Sequence, residues 1–294
     1  MASLKEVKNR INSVRSTRKI TSAMKMVASS KLHRAQAAVK SMRPYEALLG
    51  GIMSRFLQTA SDDVSSPYAV ERAVERVVIV AVSSNSSLCG AFNSNIQKRV
   101  TQTIDRLRAD GAKSIEVLPI GVKIGEKVKK LGFTFETNNS DLLDHPSAVR
   151  ATELAESLMA RFVAKEIDQV ILIYNHFKST STQVVTSETF LPVSLQSEGE
   201  QATEHNIYER QNDYIIEPSP AEVLETLIPQ ALHLKIYAAL LDSIASEHAA
   251  RVIAMQVATD NADELLRQLT LQYNKSRQAA ITNELLDIAG ASFS

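Results

Sequence analysis

The chain has 294 residues with 33 basic and 33 acidic side chains, so its formal net charge at neutral pH is zero. This total hides an asymmetry, because residues 1–43 contain eleven Lys or Arg and one acid, Glu6. The single cysteine, Cys89, excludes an intrachain disulfide and indicates a reducing compartment. No apolar run reaches the roughly 18 residues that a transmembrane helix needs.

The first predicted element is a long helix over residues 1–58, opened by a capping box of Ser3 and Glu6. Apolar and small residues recur in it at spacings of three and four, with a slight drift of phase near Met24, which is typical of a coiled-coil seam. Pro44 predicts a kink or a break, because proline lacks the amide hydrogen that a helix interior requires. The seam positions are Leu4, Val7, Ile11, Val14, Arg18, Thr21, Met24, Ala28, Leu32, Ala35, Val39 and Met42.

Residues 59–75 are interpreted as a linker, and residues 76–213 are predicted to form an α/β domain. Its first strand, VVIVAV at 77–82, has the all-apolar, β-branched composition of a strand buried on both faces. Segments that alternate between strand and helix predict a layered, Rossmann-like sheet. Further strands are predicted at 114–120, 133–136, 169–174 and 182–191, the last two as a hairpin, and helices at 95–111, 125–132 and 147–166.

Residues 214–294 are predicted to contain the second long helix, opened by a capping box at 219–222. Pro229 predicts a local kink, and Gly290 predicts the C-terminal stop. The net charge from residue 219 onwards is −4, which favours antiparallel pairing with the basic N-terminal helix. The seam positions are Ala238, Leu241, Ala245, His248, Val252, Met255, Thr259, Ala262, Leu266, Leu269, Tyr273, Ser276, Ala280 and Asn283.

No motif for catalysis or metal binding stands out. The segment 83–93, SSNSSLCGAFN, occupies the place of a phosphate-binding loop, but it has only Gly90 and no lysine. We therefore predict a strand-to-helix turn with Cys89 buried. The six histidines lack metal-binding spacings, and His248 is predicted to be a packed polar step of the seam.

The basic N-terminal helix keeps other classes of function open. The chain could be a nucleotide-using α/β enzyme with helical arms, or a basic coiled-coil scaffold for nucleic acid or a membrane surface. The helix has no aromatic residue before Tyr45 and the rest of the chain is acidic, which disfavours nucleic acid. Its Arg-rich, Ser-rich, acid-poor start also has the bias of an organelle presequence, but the pattern continues well beyond one.

Four stretches point to one family: KITSAMKMVASSKL (19–32), RPYEALL (43–49), LCGAFN (88–93) and the stretch from Ser246 to Gly290. With these motifs, in this order, the chain resembles the gamma subunit of F-type ATP synthase. The resemblance implies a non-catalytic rotor whose terminal helices form an antiparallel coiled coil. Proton flow through the c-ring would turn this shaft, which would drive the catalytic beta subunits through their states.

The resemblance also implies partners and a location. The shaft would turn inside an alpha3beta3 hexamer, and the α/β domain would sit on the c-ring beside the epsilon subunit. It implies no cofactor, no metal, no nucleic acid and no membrane span of its own. We expect a position on the cytoplasmic face of a bacterial inner membrane, because the predicted helix cap starts at Ser3 with no presequence before it.

Site residues are carried over by the same motifs. Met24 matches the shaft position that meets the beta-subunit lever, and Arg251 is expected near that level. Asn85, Ser86 and Ser87 depart from the acidic–basic–glycine triplet usual in the family, so the charges of that triplet are absent here. A polar cluster that engages a beta-subunit loop is matched by Arg277, Gln278, Thr282 and Glu284, and the foot that faces the c-ring by Tyr214 and Glu217.

Overall fold

The computed structural model describes residues 4–59, 66–135, 137, 139–193 and 220–292. The helix α1 (Leu4–Thr59) precedes an α/β domain, and the helix α6 (Pro220–Ser292) follows it. Both capping-box serines, Ser3 and Ser219, lie outside the described residues. Residues 214–219, the first part of the predicted C-terminal region, also lie outside them.

The two long helices are continuous. Pro44 lies inside α1 and Pro229 inside α6, so neither proline breaks its helix. A proline removes one backbone hydrogen bond, while packing along the whole seam holds the flanking turns in helical geometry. The C-terminal stop predicted at Gly290 is also wrong, because α6 continues to Ser292.

The elements of the α/β domain are β1 (Arg76–Val82), α2 (Phe92–Ala109), β2 (Ser114–Ile120), α3 (Val122–Lys130), α4 (Asp141–Asp144), α5 (Ala148–Val163), β3 (Gln169–Phe177) and β4 (Gln183–Leu191). Its four strands form one sheet in the order β2-β1-β3-β4. The first strand pairs in parallel with two neighbours, and the last two strands form the predicted antiparallel hairpin.

The strand predicted at 133–136 is not formed over its described residues. Residues 133–135 are irregular, and residue 136 lies outside the described part of the chain. Phe133 and Phe135 instead pack against the core on the α2–α3 side of the sheet, with Arg108 and Lys129 over their rings. Their alternation therefore reflects packing beside β2 rather than pairing with it.

Each face of the sheet packs against a different helical layer. Val77, Ile79 and Ala81 of β1 point into a core shared with α2 and α3. Val78 and Val80 point to the opposite face, where α5 and the first half of α6 cover the sheet. Side chains alternate along a strand, so a strand with helices on both faces must be apolar throughout. The C-terminal helix is thus part of the core of the α/β domain.

Asp168, immediately before β3, fixes the start of the sheet. Its carboxylate accepts hydrogen bonds from the backbone N–H of Arg76 at 2.9 Å and from Arg76 Nη2 at 2.8 Å. The Asp168 side chain is buried, with 4% exposed. These donors, above all the Arg76 guanidinium, lower the pKa of the Asp168 carboxyl.

Candidate functional site

The helices α1 and α6 pack against each other in antiparallel directions, and we call this pair the shaft. Successive contacts pair increasing residue numbers of α1 with decreasing residue numbers of α6, so the two helices run in opposite directions. The predicted pairing of the two chain ends is therefore confirmed. Three polar contacts across the pair are Arg18 Nε to Asp263 Oδ1 at 2.5 Å, Thr21 Oγ1 to Thr259 Oγ1 at 2.8 Å and Lys25 Nζ to Gln256 Oε1 at 2.6 Å.

The predicted seam positions occupy the interface of the shaft. On α1, every one is buried or half-buried except Arg18, whose side chain turns outward to Asp263. On α6 the seam is covered as far as Ser276, whereas Ala280 and Asn283 are exposed. The last turns of α6 therefore extend beyond its contact with the described residues of α1, which begin at Leu4.

The outer surface of the shaft is strongly basic. Among the eleven basic side chains of residues 1–43, all but Lys25 are exposed. Within the described part of the chain, Arg18 is the one that forms an ion pair within 4 Å. Like charges at this density repel one another, so an acidic partner surface would stabilise the shaft.

A groove of about 710 Å³ lies where the shaft meets the α/β domain. Met24 and Arg251, the two residues expected at the level of the beta-subunit lever, both line it. Small and apolar side chains of α1, such as Ala28, form one wall, while Asn85 and Asp144 of the α/β domain form another. The structure thus places these two predicted residues in one groove.

Arg251 is held by groups of its own chain. Its Nη1 donates to the carbonyl oxygen of Ser87 at 2.5 Å, and its Nη2 donates to Ser86 Oγ at 2.9 Å and Glu247 Oε1 at 2.6 Å. Only 9% of the residue is exposed. The contact with a beta subunit stays a prediction for this residue, but its guanidinium already anchors the loop after β1 to α6. Sequence reasoning missed these partners, although the i,i+4 spacing of Glu247 and Arg251 could have indicated their ion pair. No local spacing connects Arg251 to Ser86 or Ser87.

His248 lies on the same groove and is half-buried in the seam, as predicted. Its Nδ1 is buried without a hydrogen-bond partner among the described residues. Burial, together with the nearby charges of Lys31 and Arg251, lowers the pKa of His248 to about 4. The imidazole is therefore neutral at physiological pH.

The polar cluster predicted from the family motif lies at the exposed end of α6. All four of its residues are solvent-exposed, and Thr282 Oγ1 donates to the Gln278 carbonyl oxygen at 2.9 Å within the helix. Apolar side chains share this tip, which sequence reasoning overlooked although they depart from the seam register. The exposed apolar residues are Ile281, Leu285, Leu286 and Ile288.

The tip and the groove are separate. The chain from Gln256, which faces Lys25, to Arg277 covers 21 helical positions, or about 30 Å at 1.5 Å per residue. The structure therefore brings Met24 together with Arg251 but not with the polar cluster. Tyr214 and Glu217, expected to face the c-ring, lie outside the described residues.

The loop after β1, where a phosphate-binding loop would lie, is held by hydrogen bonds within the chain. Ser84 N–H donates to Asn93 Oδ1 at 3.1 Å, and Asn93 Nδ2 donates back to Ser84 Oγ at 2.8 Å. Asn85 accepts from the Val122 N–H at 3.2 Å, and Cys89 is buried as predicted. The Ser84 amide and the Ser84 and Asn93 side chains are thus used within the fold and are not free to bind a phosphate.

Membrane-spanning helices and metal-ligand clusters are both absent from the described part of the structure. None of the helices there contains a stretch long and apolar enough to cross a bilayer. No group of three or more His, Cys, Asp or Glu side chains converges as metal ligands would within the same residues.

Comparison with known sequences points to one family. A profile of the family described as ATP synthase matches residues 3–293. The chain is 56% identical to the ATP synthase gamma chain of Bacteroides thetaiotaomicron over 297 residues, covering 99% of each chain. It is 54% identical to the ATP synthase gamma chain of Phocaeicola vulgatus over 292 residues, again covering 99% of each.

Comparison with solved structures agrees. A chain from the central stalk and c-ring of the Tetrahymena thermophila mitochondrial ATP synthase superposes with a TM-score of 0.57 at 25% identity, covering 81% of this chain and 99% of that one. A chain from the rotor of the Euglena gracilis mitochondrial ATP synthase gives a TM-score of 0.59 at 16% identity, covering 95% and 98%. At 16% identity, the match to the Euglena gracilis chain shows a shared fold alone.

Proposed function

Because this chain belongs to the gamma chains of the ATP synthase family, we propose that it is the central-stalk rotor of an F-type ATP synthase. Its rotation couples proton flow through a membrane c-ring to ATP synthesis or hydrolysis at catalytic beta subunits. The observation that carries the proposal is the antiparallel shaft, built from the two chain ends and continued into the core of the α/β domain. Such a shaft can transmit rotation from the α/β domain to the distant tip of α6.

The chain is a subunit of the complex, and we propose that it contributes mechanics rather than catalysis. The loop after β1, where an α/β enzyme would bind a phosphate, is closed by Ser84 and Asn93. This closure makes the alternative of a nucleotide-using enzyme unfavourable. The basic-scaffold alternative is also disfavoured, because its cationic surface belongs to a shaft whose relatives are ATP synthase gamma chains.

We propose three partners within the complex: an alpha3beta3 hexamer around the shaft, a c-ring below the α/β domain and an epsilon subunit beside it. The exposed cations of α1 fit acidic loops on a surrounding ring. We place the complex on the cytoplasmic face of a bacterial inner membrane. As functional regions we propose 1–58 and 214–294 for the shaft, 59–75 for the linker and 76–213 for the α/β domain.

For contact with the beta subunits we propose two levels. At the lower level, Met24 and the groove that it shares with Arg251 would meet the beta-subunit lever. At the upper level, the tip of α6 would engage a beta-subunit loop through Arg277, Gln278, Thr282 and Glu284. Tyr214 and Glu217 are proposed to face the c-ring.

The exposed part of α1 suits a rotor. Apart from Ile20, Met26 and Val27, its middle exposes mainly Ala, Ser and cationic side chains. A large apolar side chain that became buried against the hexamer at one angle would stabilise that angle by about 1.5–3 kcal/mol. Small and hydrated side chains keep such preferences low, so the shaft can turn.

A tagged version of the chain, isolated from native membranes and assayed for Mg-ATP hydrolysis, tests the proposal. We expect alpha and beta subunits in a three-to-three ratio with one copy of this chain, together with ATPase activity. Isolation of the chain alone, or with nucleic acid and without ATPase activity, would overturn the proposal and favour the basic scaffold.

A further inference from the structure

Four side chains of α6 bond the α/β domain to the shaft, and we call them the α6 clamp. They reach β4, β3 and the loop after β1, so they span the width of the domain that faces the shaft. The contacts are Lys235 Nζ to the Thr189 carbonyl oxygen at 3.2 Å, Asp242 Oδ2 to His176 Nδ1 at 2.5 Å, Ser246 Oγ to the Asn175 carbonyl oxygen at 3.0 Å, and Arg251 Nη1 to the Ser87 carbonyl oxygen at 2.5 Å.

The clamp is long compared with the diameter of a helix. Lys235 and Arg251 are 16 positions apart, which corresponds to about 24 Å along the helix axis at 1.5 Å per residue. Lys235, Asp242 and Ser246 follow one another at spacings of seven and four, so they share one face of α6. Contacts spread over this length resist tilting as well as twisting of the domain against the helix.

The centre of the clamp is desolvated. Ser246 is 0% exposed and Asn175 is 2% exposed, so their hydrogen bond has no competing water. A hydrogen bond depends steeply on direction, whereas apolar packing does not. Twisting the domain around α6 would therefore break these bonds, although the apolar core could partly slide.

The described residues of α1 make no comparable set of contacts to the α/β domain. Among the described residues, α1 makes one hydrogen bond to the α/β domain, from Arg43 Nη2 to the Phe177 carbonyl oxygen at 3.4 Å on the exposed surface. Its main packing partner is α6, and it touches the strands and the other helices only sparsely. Ala35 and Val39 contribute apolar contacts to the shared core.

We infer that torque passes between the α/β domain and the shaft through α6, with the clamp as the connection, and that α1 turns because it is packed on α6. The inference rests on the proposed rotor function and deepens it. Clamp residues are positioning residues, since they hold the domain at a fixed angle to the shaft without touching a nucleotide. In this arrangement α1 chiefly presents the basic outer surface.

The test uses the assembled alpha–beta–gamma complex, fixed through its hexamer, with a bead attached to the α/β domain. A cysteine at the exposed position Lys130 would carry the bead, because the native Cys89 is buried and would not react. The measured quantity is the variance of the bead angle in the stalled enzyme. The variants are Asp242→Ala/Ser246→Ala in the clamp and, as a matched control, Arg43→Ala on α1.

We expect the angular variance of the double variant to be about twice the native value, because two of four clamp contacts are lost. Arg43→Ala should leave the variance unchanged. The single variant Asp242→Asn keeps an oxygen acceptor for His176, so its angular variance should equal that of the native complex. Unchanged variance in the double variant, or an equal increase in Arg43→Ala, would overturn the inference. If the double variant does not assemble, Ser246→Ala alone is compared with Arg43→Ala: a larger angular variance in Ser246→Ala supports the inference, and an equal or unchanged variance overturns it. A failure of the proposed function would differ, because the native complex would then not rotate the bead.

Discussion

Thr21 of α1 and Thr259 of α6 face each other across the shaft with their hydroxyl oxygens 2.8 Å apart. Each hydroxyl also lies within hydrogen-bond distance of a carbonyl oxygen of its own helix, that of Arg18 at 3.1 Å and that of Met255 at 2.8 Å. The pair is a polar contact in a seam that is mostly small and apolar. Because a hydroxyl is best satisfied opposite another polar group, the pair favours one register of the two helices.

This pairing predicts a coupling between the two positions. Thr21→Val and Thr259→Val should each lower the free energy of unfolding by about 0.5–1.5 kcal/mol, since each removes a hydrogen bond and places a methyl group against a hydroxyl. The double variant should cost less than the two single variants together. Urea denaturation of the four proteins measures the coupling, and strictly additive effects would show that the hydroxyls do not interact.

A second prediction concerns the carboxylate at the start of β3. Asp168→Ala should lower the free energy of unfolding by about 2 kcal/mol, because it leaves backbone and guanidinium donors without their charged acceptor. Since the pKa of Asp168 is lowered in the fold, its stabilisation is present above the unfolded pKa and lost as pH falls through the folded pKa.

The measurement is the urea midpoint of the native chain and the variant from pH 7 down to the acid limit of folding. The difference between the two should shrink with acidification. Glu166→Ala serves as a control for loss of a carboxylate, because Glu166 is exposed and its nearest guanidinium contact, to Arg161, is long at 3.6 Å. A difference that stays constant with pH would argue that Asp168 acts only through packing.

The half-buried imidazole of His248 predicts that acid lowers the stability of the chain. The pKa of His248 is about 4 in the fold and near 6.5 when unfolded, so the unfolded state binds more protons between these values. The chain should therefore lose stability as pH falls from 6.5 towards 4. His248→Gln should reduce this loss, as measured by urea midpoints at pH 5 and pH 7.

His176 provides a comparison of opposite sign. Its hydrogen bond to Asp242 raises the pKa of His176, so its contribution is present below the unfolded pKa and lost as pH rises through the folded pKa. His176→Gln should thus weaken the chain more at pH 6 than at pH 8. Identical pH profiles for His176→Gln and His248→Gln would contradict both assignments.

The last prediction addresses the tip of α6. Arg277→Ala and Gln278→Ala should each lower ATP hydrolysis by the assembled complex about two- to tenfold, since each would remove a hydrogen bond to a beta-subunit loop. ATP-driven proton pumping should fall with it. Both side chains are exposed and off the seam, so helix content and assembly should be unchanged.

The control for the tip is Arg99→Ala, an exposed arginine of α2 on the opposite side of the α/β domain from the shaft. It should leave hydrolysis and pumping at native levels. If turnover and pumping in both tip variants equal those of the control, Arg277 and Gln278 do not contact the beta subunits.

The sequence by itself determined the elements with a strong period. The spacing of apolar residues predicted nearly all of the shaft seam, and the all-apolar run 77–82 predicted a central strand, because local period and burial are directly linked. It also predicted the closed turn around Cys89. Family motifs gave the rotor function, but the contact residues drawn from them remain predictions.

Tertiary structure decided the rest. Long-range packing kept the helices continuous through Pro44 and Pro229. It also placed the side chains of Phe133 and Phe135 against the core, where the sequence had predicted a strand. It brought Arg251 to a carbonyl 164 positions earlier in the chain and joined the α/β domain mainly to α6. Such contacts depend on how complete elements pack in three dimensions, and no local spacing along the chain encodes them.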